Sequence, residues 1–315
     1  MKWLIIASEK RETKRTLEFF KVRGWDYEKI ALPQKASDGK AQSVFSKICG
    51  CTACVFFNDE KTYSSELVSF VLGALAGRGI PFYVQGDKDF LKHFVFFNPE
   101  LKSYARVFKT SSELLNHMRA NEEQIESEER KKACFARLFN AGISFTADSF
   151  EFYLEKEKYE ICHLILNAGI DVDARTLQGV PLLSVATRSE NVEMIEELLS
   201  RGADINAVSL DRGYSAVMDA VWRKNYEITK LLLSKGAEVN TMSSDGQSIL
   251  VLAVGNGNSK IVELLLEYGA NPDIKDSMGM SAREYANLFK NETLINLLKN
   301  IPKRSEEEEE NLSFE

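Results

Sequence analysis

Cys49, Cys51 and Cys54 spell C-x-C-x-x-C, the densest set of soft donors in the chain. A zinc site needs four tetrahedral ligands, usually as two separated pairs. No fourth partner stands nearby, and Cys54 falls in an apolar run where a small buried thiol is common, so no metal is expected. His93, His117 and His163 stand singly, and no Ser/His/Asp or Cys/His order can be read from the sequence. No G-x-G-x-x-G follows the first apolar run, and G-x-x-x-x-G-K-S/T is absent. A dinucleotide dehydrogenase or P-loop enzyme is therefore not expected, nor is a cofactor. The remaining candidates for chemistry are Ser8 and Glu9, then Asn58, Asp59 and Glu60, then Ser65 and Glu66.

The elements that would position them alternate. Residues 3–8, 27–32, 52–57, 81–84 and 104–108 read as strands; Thr13 to Val22, Lys40 to Ile48, Ser64 to Ala76 and a segment from Ser111 read as helices. Continuous apolar runs suit strands buried on both faces. In the third helix Leu67, Phe70, Val71, Ala74 and Leu75 are expected on one side. The pattern predicts an α/β domain with an open, mostly parallel, flavodoxin/Rossmann-like sheet over residues 1–122. In such sheets ligands bind beyond the carboxyl ends of the strands at the topological switch point. That rule places Ser8, Asp59 and Ser65 as ligand contacts. The Glu-dense stretch Asn121 to Glu129 reads as the domain boundary.

Leu72-Gly73-Ala74 followed by Gly79-Ile80-Pro81-Phe82-Tyr83-Val84 resembles the frame of the nucleoside 2-deoxyribosyltransferase-like and TIR-like group. The resemblance covers about 80 residues. In its register the family's catalytic glutamate falls on Val71. A carboxylate can capture or stabilise an anomeric carbon, and valine can do neither. Glu66 lies five residues earlier, in the helix's first turn. It is either charge placed favourably at a positive helix end or a carboxylate reaching the crevice. The preferred reading is a domain that keeps the fold without glycosyl transfer and binds a nucleotide-like molecule or docks a protein. The alternative is an N-glycosidase or deoxyribosyltransferase acting on NAD or nucleosides through Glu66, with Asp59 beside it.

The second half repeats itself. Gly169, Gly202, Gly236 and Gly269 are spaced 33, 34 and 33 residues apart, and Gly179, Gly213, Gly246 and Gly279 are spaced 34, 33 and 33. Leu198-Leu199-Ser200-Arg201-Gly202-Ala203 recurs as Leu232-Leu233-Ser234-Lys235-Gly236-Ala237. Ile195, Leu198 and Leu199 make a helical face, Gly202 sits where a left-handed cap belongs, and Ser215, Ser248 and Ser281 stand at N-cap positions. Each unit is turn, helix, helix. This resembles the ankyrin repeat, with units at 176–208, 209–242 and 243–275, a closing cap at 276–301, and the array spanning 123–302. Upstream, Tyr159 to Asp173 gives a second-helix signature and Arg130 to Gly142 a weaker one. Gly142 and Gly169 are 27 apart, so the turn between them is lost. The common Thr-Pro-Leu-His start is eroded to Pro181-Leu182-Leu183-Ser184 and its counterparts.

Stacked units of this kind present an extended concave surface. The resemblance implies a protein partner held by the turn tips and the first-helix face. The positions freest of packing duty are Arg188, Trp222, Arg223 and Asn256, with Arg212 in a turn. Trp222, Arg223 and Tyr226 are of types that anchor interfaces. Trp222 and Tyr226 each have an alternative, packing against the adjacent unit.

The 315 residues suit two domains. The net charge of -7 carries no basic excess, so nucleic-acid binding is not expected. Residues 303–315 hold two cations and six carboxylates, an acidic tail read as solvated and disordered, or as a contact for a basic surface. No apolar run reaches transmembrane length, and the five scattered cysteines suit a reducing compartment, so a cytoplasmic monomer is expected, with self-assembly through the repeats as the alternative.

Overall fold

The structure, a computed structural model, describes residues 2–7, 13–31, 46–48, 50–57, 65–78, 80–86 and 105–301, with the side chains of 65–69 excepted. Ser8, Glu9, Asn58, Asp59, Glu60, Cys49, His93, most of the expected Lys40 to Ile48 helix and the 303–315 tail lie outside that set. The chain divides into two compact units, residues 1–133 and 134–315.

In the first unit, β1 (Lys2–Ile6), β2 (Asp26–Ile30), β3 (Ala53–Phe57), β4 (Phe82–Gln85) and β5 (Ala105–Phe108) form one sheet in the order β2-β1-β3-β4-β5. Every pairing is parallel, with Trp3 opposite both Tyr27 and Ala53. The period of two along a strand sorts the side chains onto two faces. Leu4, Ile6, Cys54, Phe56, Phe82 and Val84 pack with α2 (Ser65–Gly77). Trp3, Ile5, Val55, Phe57 and Tyr83 pack with α1 (Lys14–Val22) and α3 (Ser111–Ala120). Both faces are covered, which is why β1, β3 and β4 read as apolar runs, whereas the edge strands β2 and β5 carry exposed charged residues. Trp3 stacks on Trp25 at 5.1 Å, and the Trp25 indole N–H donates to Glu126 Oε1 at 2.9 Å.

Two expectations are corrected. Among the described side chains of α2, Val71, Leu72 and Leu75 are wholly buried, whereas Phe70 is 52% exposed. The sheet draws Leu72 inward and leaves Phe70 at the helix flank. The stretch Asn121 to Glu129, expected to hold the domain boundary, belongs apart from Asn121 to α4 (Glu122–Asn140), a continuous helix in which Ile125 and Glu129 are buried. The division between the units falls inside this helix.

The second unit is a stack of helix pairs: α5 (Ala147–Glu155) and α6 (Tyr159–Asn167); α7 (Leu182–Arg188) and α8 (Val192–Ser200); α9 (Ala216–Trp222) and α10 (Tyr226–Ser234); α11 (Ile249–Gly255) and α12 (Ser259–Glu267); α13 (Ala282–Leu288) and α14 (Glu292–Lys299). One apolar core runs through it from Leu138 to Leu298. Asn191, Asn225, Asn258 and Asn291 cap the second helix of their pairs by accepting a backbone N–H three residues on. Ser248 and Ser281 cap first helices as expected, but Ser215 makes no such bond. A turn before each first helix from α7 onward closes on an isolated bridge, Arg175 with Pro181, Val208 with Ser215, Met242 with Ser248 and Lys275 with Ser281. Between Gly142 and Ala147 no such finger exists, which explains the short glycine spacing there.

Successive units are joined by a recurring rung. Asp173, Asn206 and Asn240 each accept, through Oδ1, a backbone N–H of the next unit, from Asp204, Glu238 and Asn271, at 2.8, 3.0 and 2.8 Å. Gly202 ends α8 with φ at 92° and open space around it. Gly179 also has a positive φ, 76°, but a Cβ there would lie 2.6 Å from Leu210 of the following finger. Its bareness lets Leu210 N–H reach Gly179 O at 3.1 Å.

Candidate partner-binding face of the repeat array

Arg188 ends α7 and, rather than standing free of packing duty, is bonded to the next unit. Its Nη1 and Nη2 donate to Asp211 at 2.8 and 3.1 Å, its Nε to Asp219 Oδ2 at 3.0 Å, and Nη2 also to Ser209 Oγ at 3.2 Å. The guanidinium thus ties α7 to the finger and first helix of the next unit. Its side chain is 18% exposed, Asp211's 24% and Asp219's 2%. Burial opposes the Arg188 charge, but its bonds to the two aspartates outweigh that and raise its pKa. The hydrogen bond from Arg188 holds Asp211 well below the usual carboxylate range. Burial pushes Asp219 up to about 6, and Arg188 offsets only part of that.

Sequence reasoning missed Asp219, although a signal was present. Aligned on the glycines, Asp219 stands where the other first helices carry Val185, Leu252 and Tyr285. An acid at an apolar position of the repeat asks for a partner, and Arg188 of the preceding unit is that partner.

Trp222 occupies in α9 the place Arg188 holds in α7. Its ring is 49% exposed, and Tyr214 meets it at 6.5 Å in a T-shaped contact. The Arg212 guanidinium lies 5.9 Å from the Tyr214 ring and 6.0 Å from that of Trp222. A half-exposed indole flanked by a second ring and a cation is a rigid amphipathic platform. Arg223 beside it is exposed and reaches Glu190 only at 3.8 Å. Tyr226 is half-buried against the core, which favours its packing alternative. Asn256 is also committed: its Nδ2 donates to Val221 O at 3.0 Å, across to the preceding unit. His163 does not stand singly, since its Nδ1 lies 2.6 Å from Glu197 of the next unit.

A cleft of about 410 Å³ opens between α5, α7 and the end of α9. Glu151, Glu155 and Glu157 line it together with Arg188 and Arg223. In the first unit, Ser65 and Glu66 lie in the first turn of α2, and Ser8 and Asp59 follow the ends of β1 and β3 outside the described residues. Val71, at the position of the expected glutamate, is wholly buried against the sheet. Among the described residues no group of His, Cys, Asp or Glu is arranged to hold a metal ion, and no helix is long and apolar enough to cross a membrane.

This architecture is matched by the family model for ankyrin repeats (three copies), over residues 152–243 and 217–306. Residues 152–306 thus match ankyrin repeats, which generally mediate binding to protein partners. A Treponema pallidum (strain Nichols) protein named as ankyrin repeat-containing is 36% identical over 180 residues, 57% of this chain. The match spans 60% of that relative's length.

Proposed function

We propose that the protein is a non-catalytic interaction protein that captures a protein partner on the first-helix face and finger tips of its ankyrin array. The observation that carries this reading is the Trp222–Tyr214–Arg212 platform, half-exposed on a continuous stack. Arg223, exposed at its edge, extends it, while Arg188 and Asn256 shape the surface from within. The partner is retained by a few anchors, since interfaces concentrate their energy in aromatic and Arg residues. Replacing Trp222 by Ala and Arg223 by Glu in the full chain should cut partner capture by ~30-fold, as loss of ~2 kcal/mol at a hot spot implies. Unchanged pulldowns would overturn the assignment of this face.

The α/β domain acts as a second docking surface or as a sensor of a nucleotide-like ligand. Its doubly wound strand order and the buried Val71 support that reading. Incubating wild type and Glu66→Gln with NAD and with deoxynucleosides, followed by chromatography, should give no product from either. Product from wild type alone would establish the glycosidase alternative.

A further inference from the structure

We propose that the cleft between α5, α7 and α9 receives an arginine side chain projected by the bound partner, an inference that rests on the array binding a protein. The cleft, about 410 Å³, is of ligand-holding size. Its two cations offset its acids only in part. Arg188 is already matched by Asp211 and Asp219, and Arg223 faces Glu190. Glu151, Glu155 and Glu157 have no ion pair among the described residues. Burial and the neighbouring Glu155 and Asp148 carboxylates raise the pKa of Glu151 by more than the Arg188 charge lowers it, so an added cation would offset the crowding of like charges.

Two further features fit the rest of an arginine. Tyr159, 39% exposed, lines the cleft and supplies an aromatic ring, the partner a planar guanidinium prefers. Leu154 and Val185, each 2% exposed, form a floor for the methylene stem. The carboxylates meet the charged fork, the ring meets the plane and the floor meets the chain. An acidic segment would face three carboxylates, and lysine, a point charge, would leave the ring and the bidentate geometry unused.

The test uses the full chain and a fluorescent hexa-arginine peptide, read by anisotropy at low salt. Hexa-citrulline and hexa-lysine are the comparison probes. Hexa-arginine should bind at least tenfold tighter than hexa-citrulline and at least threefold tighter than hexa-lysine. The Glu155→Gln/Glu157→Gln variant alters two exposed side chains and should weaken hexa-arginine at least fivefold. Neutralising Glu306 to Glu310 of the tail, or Glu193 and Glu196 on α8, should leave binding unchanged. No preference over citrulline, equal binding of lysine, or a loss that follows the tail or α8 would overturn the proposal. Trp222 does not line the cleft, so Trp222→Ala should retain peptide binding while losing partner capture, and failure of one reading is visible apart from failure of the other.

Discussion

Asp219 and Asp211 share one guanidinium yet should give the array opposite pH slopes. For Asp219 the folded pKa is raised from 3.8 to about 6 by burial. Between those values the folded chain holds a proton the unfolded chain has released, so stability falls as pH rises through this window. At ~1.4 kcal/mol per unit the loss is about 3 kcal/mol, complete above pH ~7. Asp211 is held below its ordinary value by Arg188, so its contribution is full above pH ~4 and disappears only as pH falls below that. Asn at position 219 keeps an acceptor for Arg188 Nε and cannot ionise. Asp219→Asn should therefore stabilise the array by about 3 kcal/mol at pH 7 and by almost nothing at pH 4, in line with buried ion pairs being replaceable at no cost. Arg188→Met should do the reverse, destabilising by ~3 kcal/mol at pH 7 because it strands a buried carboxylate, and by much less in the Asp219→Asn background. Urea-dependent hydrogen exchange on peptides from α7 and α9 of the full chain reads both. A pH-independent difference between wild type and Asp219→Asn, or a destabilised Asp219→Asn at pH 7, would refute the account.

Gly179→Ala should cost ~2–3 kcal/mol, since it adds backbone strain to a collision with Leu210, whereas Gly202→Ala, with the strain alone, should cost ~1 kcal/mol. Thermal unfolding ranks the two, and equal costs would remove the role of finger stacking. Lys224 adopts φ 60° ahead of α10, the conformation its counterpart Gly257 takes at 67°. Lys224→Gly should raise stability by ~0.5–1 kcal/mol, the left-handed penalty less the entropy of glycine; a loss in urea unfolding would contradict this.

The array was legible because its two glycine series mark two different mechanical needs, a helix end at Gly202 and a tight finger at Gly179. The sheet was legible because both its faces are covered, so that its inner strands β1, β3 and β4 are largely apolar. What stayed hidden depends on neighbours far apart in sequence. Arg188 looks like a free surface cation until Asp219 of the next unit is placed beneath it. α5 escaped notice because no finger precedes it, so the interval from Gly142 to Gly169 breaks the period. Phe70 and Leu72 exchange roles because periodicity alone does not fix the angle at which α2 meets the sheet. Of the crevice residues, Ser8 and Asp59 lie outside the described residues, and Ser65 and Glu66 are placed only as helix positions.

The side-chain rungs from Asp173, Asn206 and Asn240 each reach forward by a single unit. Under tension such a ladder has no long-range tie to share the load, so each junction gives way at its own threshold. Unfolding of the array is therefore expected to proceed junction by junction, each unit contacting only its neighbours.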